Sequence, residues 1–156
     1  MGGGGALTAS IREQITASVF SLLQSTTGVG GRVYRSRVEA FSRGSAPALV
    51  VESVANTPTK SGSSSSRVGS GQAFGVVQLL ELRMLLLIDH PIPDLAADPI
   101  IVDIHDRITD DLTLGGLAMD VTPGETRWDQ EVNGVAVVSH SYVVSYRTLI
   151  KDLTSA

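Results

Sequence analysis

The residues best suited to chemistry in this chain are its three histidines, and their spacing keeps them apart. His90 precedes Pro91 at the end of an apolar run, His105 stands beside Asp106, and His140 lies among valines and tyrosines. A metal site needs several ligands that converge on one ion, and this spacing supplies no convergence. We therefore expect His140 to be hydrogen-bonded on a mostly apolar face, His105 to be solvated, and the chain to hold no metal.

Carboxylates gather near the end of a predicted helix. They are Asp103, Asp106, Asp110 and Asp111. The helix dipole disfavours negative charge at a helix C-terminus, so a basic partner or a cation would relieve these side chains. A solvated acidic face is the simpler interpretation, and we prefer it.

The serine-rich and glycine-rich segments do not match a nucleophile or phosphate motif. Gly69-Ser70-Gly71 lacks the Gly-x-Ser-x-Gly pattern of a nucleophile elbow, and residues 28–31 follow a helix rather than the strand that a phosphate loop follows. The chain also has no cysteine, which excludes thiolate zinc sites and cysteine nucleophiles. We therefore expect a protein that is not an enzyme, has no catalytic residues and needs no cofactor.

Positive charge is concentrated around one short predicted strand, which alternates from Arg32 to Val38 and carries Arg35 and Arg37 on one side. Two interpretations stay open. The arginines are solvated on an edge strand, or they meet acidic groups of a partner, where bidentate pairing adds orientation. Arg35 and Arg37 are therefore candidate residues of a subunit interface.

Two amphipathic helices are predicted. The first begins with a capping box of Ser10 and Glu13, in which each side chain satisfies a free backbone N–H. Its apolar residues recur at helical spacing: Ile11, Ile15, Val19, Leu22 and Leu23. The second helix runs from the mid-nineties to about Asp111 and ends before Gly115 and Gly116.

A long strand from Val76 to Asp89 is predicted to run through the core. One face is apolar throughout, with Leu80, Leu82, Met84, Leu86 and Ile88. The other face becomes apolar at Leu85 and Leu87, so this end is either covered by a helix or kept for a partner subunit. Leu85 and Leu87 are therefore the other candidate interface residues.

The last two strands form a hairpin with an Asn-Gly turn signal, and two registers are open. A two-residue turn would pair Val132 with Val135. A three-residue loop with Gly134 in a bulge instead pairs Trp128 with Val138 and gives one consistent apolar face. We predict the bulged hairpin.

Residues 55–74 contain almost nothing that can be buried and are predicted to form a long Gly/Ser-rich loop between the second and third strands. Loops of this length in compact domains are usually functional or disordered, and such a loop can reach ~60 Å when extended. A hairpin tip without a role is the alternative. The candidate contacts to a neighbouring molecule are Lys60, Ser63, Ser64, Ser65, Ser66 and Arg67.

The predicted order of elements is α-β-β-loop-β-α-β-β. Because hairpins predominate, we predict an α+β fold with a largely antiparallel or mixed sheet and two helices on one face. A length of 156 residues is typical of a single domain. We place that domain at residues 8–150, with a flexible arm at 1–7 and a tail at 151–156.

Composition limits what this domain can bind. Hydrophobic residues make up 42% of the chain but aromatic residues only 4%, so the core must be mostly aliphatic. The net charge of −4 argues against a surface that grips DNA through lysine and arginine. The longest apolar run, Met84 to Ile88, is too short to span a bilayer, and no membrane partner is expected.

The order of several segments resembles that of phage tail terminator proteins, the minor tail protein U type of long-tailed phages. The segments are a helix beginning Ile11-Arg12, then Val33-Tyr34-Arg35-Ser36-Arg37-Val38, Pro47-Ala48-Leu49-Val50-Val51, Leu114-Gly115-Gly116-Leu117-Ala118-Met119-Asp120-Val121 and Tyr146-Arg147-Thr148. Each segment alone is a common strand or turn sequence. The resemblance depends on their order and spacing over residues 8–148.

The resemblance implies a structural virion protein without catalytic residues. Such proteins form a hexameric ring on the head-proximal end of the tail tube, end tube polymerisation and join the tail to the head or neck. The implied partners are further copies of the chain, the tail tube protein and a head-completion or neck protein, while genomic DNA passes through the lumen without specific binding. The implied location is the virion, and the host cytoplasm during assembly.

Two alternatives to a tail terminator stay open. One is a neck or head–tail connector protein one layer above the terminator. The other is a small-molecule-binding α+β domain. The oligomeric state separates the small-molecule-binding domain from the terminator and the connector, because a ring is expected only of these two assembly proteins.

Overall fold

The computed structural model describes residues 8–36, 46–59, 67–68, 73–132, 135–150 and 152–155. Its helices and strands are α1 Ile11–Leu22, β1 Val33–Arg35, β2 Ala48–Pro58, β3 Arg67–Val68, β4 Ala73–Ile88, α2 Pro93–Thr109, β5 Asp120–Val132 and β6 Val135–Leu149. The predicted order of elements is confirmed, with β3 as an addition that sequence analysis did not predict.

The strands form one open sheet in the order β1-β2-β4-β6-β5, and β3 pairs with the start of β4. β1 and β2 are parallel, whereas the other pairs are antiparallel. Apolar residues of α1 and α2 join one core cluster with one face of the sheet. The predicted α+β fold with helices on one face is therefore confirmed.

β4 lies in the middle of the sheet because its alternating pattern supplies a continuous aliphatic face. The predicted core face is confirmed: Leu80, Leu82, Met84 and Leu86 are fully buried, and Ile88 nearly so. Helix α2 packs on this face through its own buried residues, which are Ala97, Ile100, Ile104 and Ile108. The core is thus an aliphatic layer between sheet and helices, as the low aromatic content requires.

Helix α1 begins at the predicted cap, but only half of the capping box forms. The Ser10 hydroxyl accepts a hydrogen bond from the Glu13 backbone N–H at 3.1 Å. The Glu13 carboxylate instead binds Arg35 of β1, since a guanidinium offers a stronger, charge-assisted pair. The N–H of Ile11 donates to the carbonyl of Leu153 at 2.9 Å, so residues 152–155 help to cap the helix.

Helix α2 starts in the mid-nineties as predicted and ends at Thr109, two residues before the predicted end. Pro93 occupies the first turn, where its missing N–H costs nothing. Asp98-Pro99, whose residue types suit a helix start, lies inside the helix. No helix in the described ranges is long and apolar enough to cross a membrane.

The predicted loop at residues 55–74 is shorter than expected, because β2 continues to Pro58 and β4 begins at Ala73. Polar side chains hold this extension to buried partners. Asn56 donates to Gln78 Oε1 at 2.9 Å and accepts from the Tyr146 hydroxyl at 2.6 Å. Sequence analysis missed the extension because its stabilising groups are polar rather than apolar.

The hairpin between β5 and β6 combines features of both registers considered above. Trp128 pairs with Val138 as predicted, but Val132 faces Val135, so the connection has two residues. The register shifts by one residue between Asp129 and Val132. The predicted three-residue loop is therefore wrong, since the bulge lies within β5, and Gly134 lies outside the described residues.

Replacing Leu82 with alanine is expected to destabilise the fold by ~2–5 kcal/mol, because the change leaves a cavity in the fully buried core. Leu79→Ala is the matched control, since Leu79 is on the same strand but 36% exposed, and it should cost much less. Urea unfolding of the dilute protein measures both. Equal losses for the two variants would contradict the assigned core face.

Candidate assembly surfaces

Two apolar clefts lie between helix α2 and the edge strand β5. The first, of about 360 Å³, is lined by Pro93, Asp94, Trp128, Asp129, Ala136 and Val138. The second, of about 250 Å³, is lined by Ile101, Val102, His105, Asp106, Pro123 and His140. We name the two clefts together the α2–β5 groove. Trp128 and Val102 are 57% and 52% exposed, so the groove presents large apolar side chains to solvent.

A chain of polar side chains forms part of the groove and ties α2 to the sheet. The Tyr142 hydroxyl lies 3.0 Å from His105 Nδ1 on α2 and 2.9 Å from His140 Nε2. The Thr126 hydroxyl of β5 lies 2.6 Å from the other nitrogen of His140. The network thus connects a helix, the edge strand β5 and its neighbour β6, and Tyr142 is itself fully buried.

These contacts decide the two predictions made for the histidines. His140 is a buried, hydrogen-bonded histidine, as predicted. His105 was expected to be solvated, which is wrong: it is half-buried and stacks on Tyr142 with ring centroids 6.0 Å apart. The periodicity of α2 predicts that His105 lies on the side of the helix. It does not predict that this side contacts Tyr142 of the sheet.

Burial disfavours charge on His140 and on Tyr142. Desolvation lowers the pKa of His140, and its electrostatic interaction with nearby His105 lowers it further. Burial also raises the pKa of Tyr142, with a smaller contribution from the Asp106 carboxylate. A protonated His140 would be a desolvated cation beside a second histidine, so proton uptake weakens the folded state.

Two of the four clustered carboxylates hold backbone in place rather than facing only solvent. Asp103 accepts hydrogen bonds from the Thr27 N–H and from Arg107 Nε, both at 2.9 Å, and these bonds lower its pKa. Arg107 in turn donates to both oxygens of Ser25, which fixes α2 against the loop after α1. Asp111 accepts from the backbone of the following loop.

The other two carboxylates, Asp106 and Asp110, are exposed, which agrees with the prediction of a solvated face. Across the described part of the chain, no three histidine or acidic side chains converge in a way that could hold a metal ion. At the acidic end of α2, Asp103 and Asp111 therefore stabilise the neighbouring loops, whereas Asp106 and Asp110 place negative charge on the surface.

At the opposite edge of the sheet, a pair of bidentate hydrogen bonds joins α1 to β1. Both nitrogens at the end of Arg35 donate to the Glu13 carboxylate. This lowers the pKa of Glu13, chiefly through the hydrogen bonds from Arg35, and raises that of Arg35. The next residue, Ser36, has a φ of 45°, which ends the strand.

Arg12 is exposed beside this ion pair, next to the part of β2 that has no outer partner strand among the described residues. It lines a shallow polar cleft of about 300 Å³ together with Ser53, Val54, Ala55, Asn56 and Leu80. Arg32 precedes β1 and donates to the Pro47 carbonyl at 2.8 Å. The edge formed by α1, β1 and β2 is therefore rich in arginine, as the sequence suggested.

The sheet face away from the helices carries a second, smaller apolar cluster. Leu87 is 8% exposed and packs with Ala48, Val50 and Val135, while Leu85 is half-buried at its border. Neither α1 nor α2 covers this cluster, because both belong to the main core on the other face. Cover of Leu85 by either of the two described helices is therefore excluded.

The structure does not bring the predicted interface and loop residues together at one site. Arg35 and Leu85 lie on opposite faces of the sheet, Arg35 bound to its own helix and Leu85 beside Leu87. Arg37, Lys60 and Ser63, Ser64, Ser65 and Ser66 lie outside the described residues. Arg67 belongs to β3 and pairs through its backbone with Phe74. Their proposed contacts to other proteins stay predictions.

Sequence analysis missed the α2–β5 groove. It placed Trp128 on the apolar face of its hairpin, which is correct, but it did not predict that Trp128 is exposed. The strand order puts β5 at the edge of the sheet, where α2 leaves Trp128 in solvent. The exposed charges that alternate along β5 were the available signal.

No protein-family model matches the chain, and no curated protein matches it. Among solved structures, the chain is similar to one chain of a virion of a native gene transfer agent (GTA) particle. The two share 9% sequence identity with a TM-score of 0.51, over 85% of this chain and 94% of the other. At this identity the likeness shows a shared fold that spans nearly all of both chains.

The stability of the fold is expected to fall as the pH drops below about 6.5, the ordinary pKa of histidine. Because the pKa of His140 is lowered in the folded state, protons bind first to the unfolded chain in this range. Glu13 and Asp103, whose pKa values are also lowered, lose their contribution only at more acidic pH. Melting curves from about pH 8 to about pH 5.5 cover the histidine range.

His140→Gln should flatten the pH dependence of the melting temperature in that range. His90→Gln is the control, because the His90 ring is exposed and contacts Ile92 of its own turn. The control should keep the wild-type slope. A wild-type slope in His140→Gln would show that this histidine does not couple folding to protons.

Proposed function

We propose that the chain is a structural protein of a phage-like virion, and more narrowly a tail terminator. In this role it forms a hexameric ring that caps the head-proximal end of the tail tube, ends tube polymerisation and joins the tail to the head or neck. The fold shared with a chain of a gene transfer agent virion carries the broader proposal. The order of segments that resembles tail terminators supports the narrower one.

The described surfaces suit a protein that works through contacts. The sheet is open, and among the described residues no strand pairs with the outer side of β5 or with the outer side of β1. Open edges invite pairing with another chain. Large apolar side chains are exposed at β5 and at the start of α2, where Trp128 and Leu95 are 57% and 62% exposed. Neighbouring proteins in an assembly would bury these groups.

The proposed partners follow from this role. They are further copies of the chain, the tail tube protein and a head-completion or neck protein, with the segment from Lys60 to Arg67 as the proposed contact to the tube or a neighbour. An acidic chain with a net charge of −4 favours passage of DNA over its retention. The proposed location is the virion, after assembly in the host cytoplasm.

Two alternative functions remain distinguishable. A neck or head–tail connector would share the virion location but would not act on tube ends. A small-molecule-binding domain is favoured by one observation, an open apolar cleft of about 460 Å³ lined by residues that include Pro47, Ile88 and Ile100. Such a domain would stay monomeric and its melting temperature would rise with its ligand.

Addition of the purified chain to polymerising tail tube protein of the same phage is expected to stop elongation. Tubes should become shorter as the ratio of chain to tube protein rises, with extra density at one end of each tube in electron micrographs. The reason is that a bound ring occupies the surface on which the next tube ring would assemble. Unchanged tube lengths with bare ends would refute the terminator role and leave the connector as the better proposal.

Leu85→Asp is expected to impair self-association while leaving the monomer folded, because Leu85 is only half-buried at the border of the second apolar cluster. Leu87→Asp is the contrasting variant: Leu87 is 8% exposed, and a carboxylate there should cost ~3 kcal/mol or more of stability. Melting curves and sedimentation velocity separate the two effects. Unfolding of Leu85→Asp would show that Leu85 is core rather than interface.

A further inference from the structure

The two free edges of the sheet differ in what they offer to a partner. β5 has no strand on its outer side among the described residues. On the other edge, β1 pairs with Leu49–Val51 of β2, which leaves Glu52–Pro58 unpaired on that side within the described ranges. Each edge therefore presents backbone donors and acceptors that an added chain can pair.

The β5 edge is apolar and acidic. The exposed Trp128 lines the first cleft of the α2–β5 groove together with Asp94, and Asp106 lines the second cleft. These two carboxylates, Asp94 and Asp106, are exposed and form no salt bridge with any described residue. A partner for this groove must bring positive charge and a side chain that packs on an indole ring.

The other edge carries those groups. Arg12 is exposed and lies beside the unpaired stretch of β2, where Val54 is 43% exposed. Arg35 shares this edge but is bound to Glu13, so Arg12 is available to a partner. An arginine guanidinium stacks well on the face of a tryptophan, and these two residue types dominate the energetics of many interfaces.

We propose that the α2–β5 groove of one copy receives the α1–β2 edge of the next copy, meaning Arg12 and the stretch Ser53–Asn56. In this contact Arg12 packs on Trp128 near Asp94, and Val54 packs on the apolar lining. The contact joins two different surfaces, so it is head-to-tail, and its repetition closes a ring. This inference rests on the proposed function, since it assigns the surfaces by which the ring closes.

The charges of the groove and of the α1–β2 edge favour a second copy of the chain as the partner in the groove. The acidic, aromatic groove and the arginine-bearing edge are on the same chain and at opposite ends of one sheet. Each copy therefore carries both halves of the contact and satisfies one neighbour on each side. An unrelated basic partner would fill the groove but leave Arg12 and the edge of β2 unused.

Two variants test the contact, and each of them disrupts only one of its two surfaces. Trp128→Asp blocks the groove and Arg12→Glu blocks the edge. Each alone should associate about tenfold or more weakly than the wild-type chain in sedimentation velocity. An equal mixture should form a discrete heterodimer, because the first variant keeps a working edge and the second keeps a working groove.

Matched controls separate this contact from general effects of charge. Ile150→Asp places the same carboxylate at a side chain that is also 57% exposed but lies outside the groove. Arg147→Glu reverses an exposed charge on β6. Both should assemble as the wild type does. Asp94→Arg is the second groove variant and should weaken association as Trp128→Asp does, because Asp94 lines the groove beside Trp128. Circular dichroism confirms that each variant is folded.

Three outcomes would overturn the proposed contact. The blocked variants assemble like the wild type, the controls fail to assemble as the blocked variants do, or the equal mixture forms no heterodimer. If Arg12→Glu still dimerises while Trp128→Asp does not, the groove pairs with itself instead. Tube length remains a separate measurement: a confirmed contact without capping refutes the terminator role alone, and capping by the blocked variants refutes the contact alone.

Discussion

The position of β5 at the edge of the sheet, beyond full cover by the helices, is the constraint on which the rest of the structure depends. α1 and α2 bury their apolar faces against β4 and its neighbours, where alternating aliphatic residues provide a continuous surface. β5 is held by its pairing with β6 and by the polar network at Thr126. Its indole at Trp128 therefore stays in solvent, where the proposed contact with a second copy would bury it.

Polar contacts give the groove its shape. The network from Thr126 through His140 and Tyr142 to His105 fixes the distance between α2 and the sheet. The hydrogen bonds of Asp103 and its partner Arg107 fix the other side of α2 against the loop after α1. Because these bonds form within one copy, the groove exists before a partner arrives. A preformed surface loses less conformational entropy on binding, which suits assembly from single subunits.

The parts of the fold that depend on local periodicity were predictable from the sequence, and those that depend on distant contacts were not. The core face of β4 follows from alternation alone, and the cap at Ser10 follows from residue types three apart. The Glu13 carboxylate had two possible partners, and only the fold brings Arg35 within reach. Likewise, the register of the hairpin depends on a bulge inside β5. The exposure of Trp128 depends on the position of β5 at the edge of the sheet, and neither feature follows from local periodicity. The interface character of Leu85 and Arg35 needs a partner chain and stays a prediction.

The activity proposed for the chain is assembly. When copies join head to tail, the acidic α2–β5 groove of one copy meets the edge of the next copy that carries Arg12, and both free edges of the sheet are covered. The measurement that tests this proposal most directly is the mass and symmetry of the purified chain at high concentration, from mass photometry and class averages of electron micrographs. Closed particles with six-fold symmetry and six times the mass of one chain are predicted. A particle that remains a single chain at every concentration would contradict the proposal.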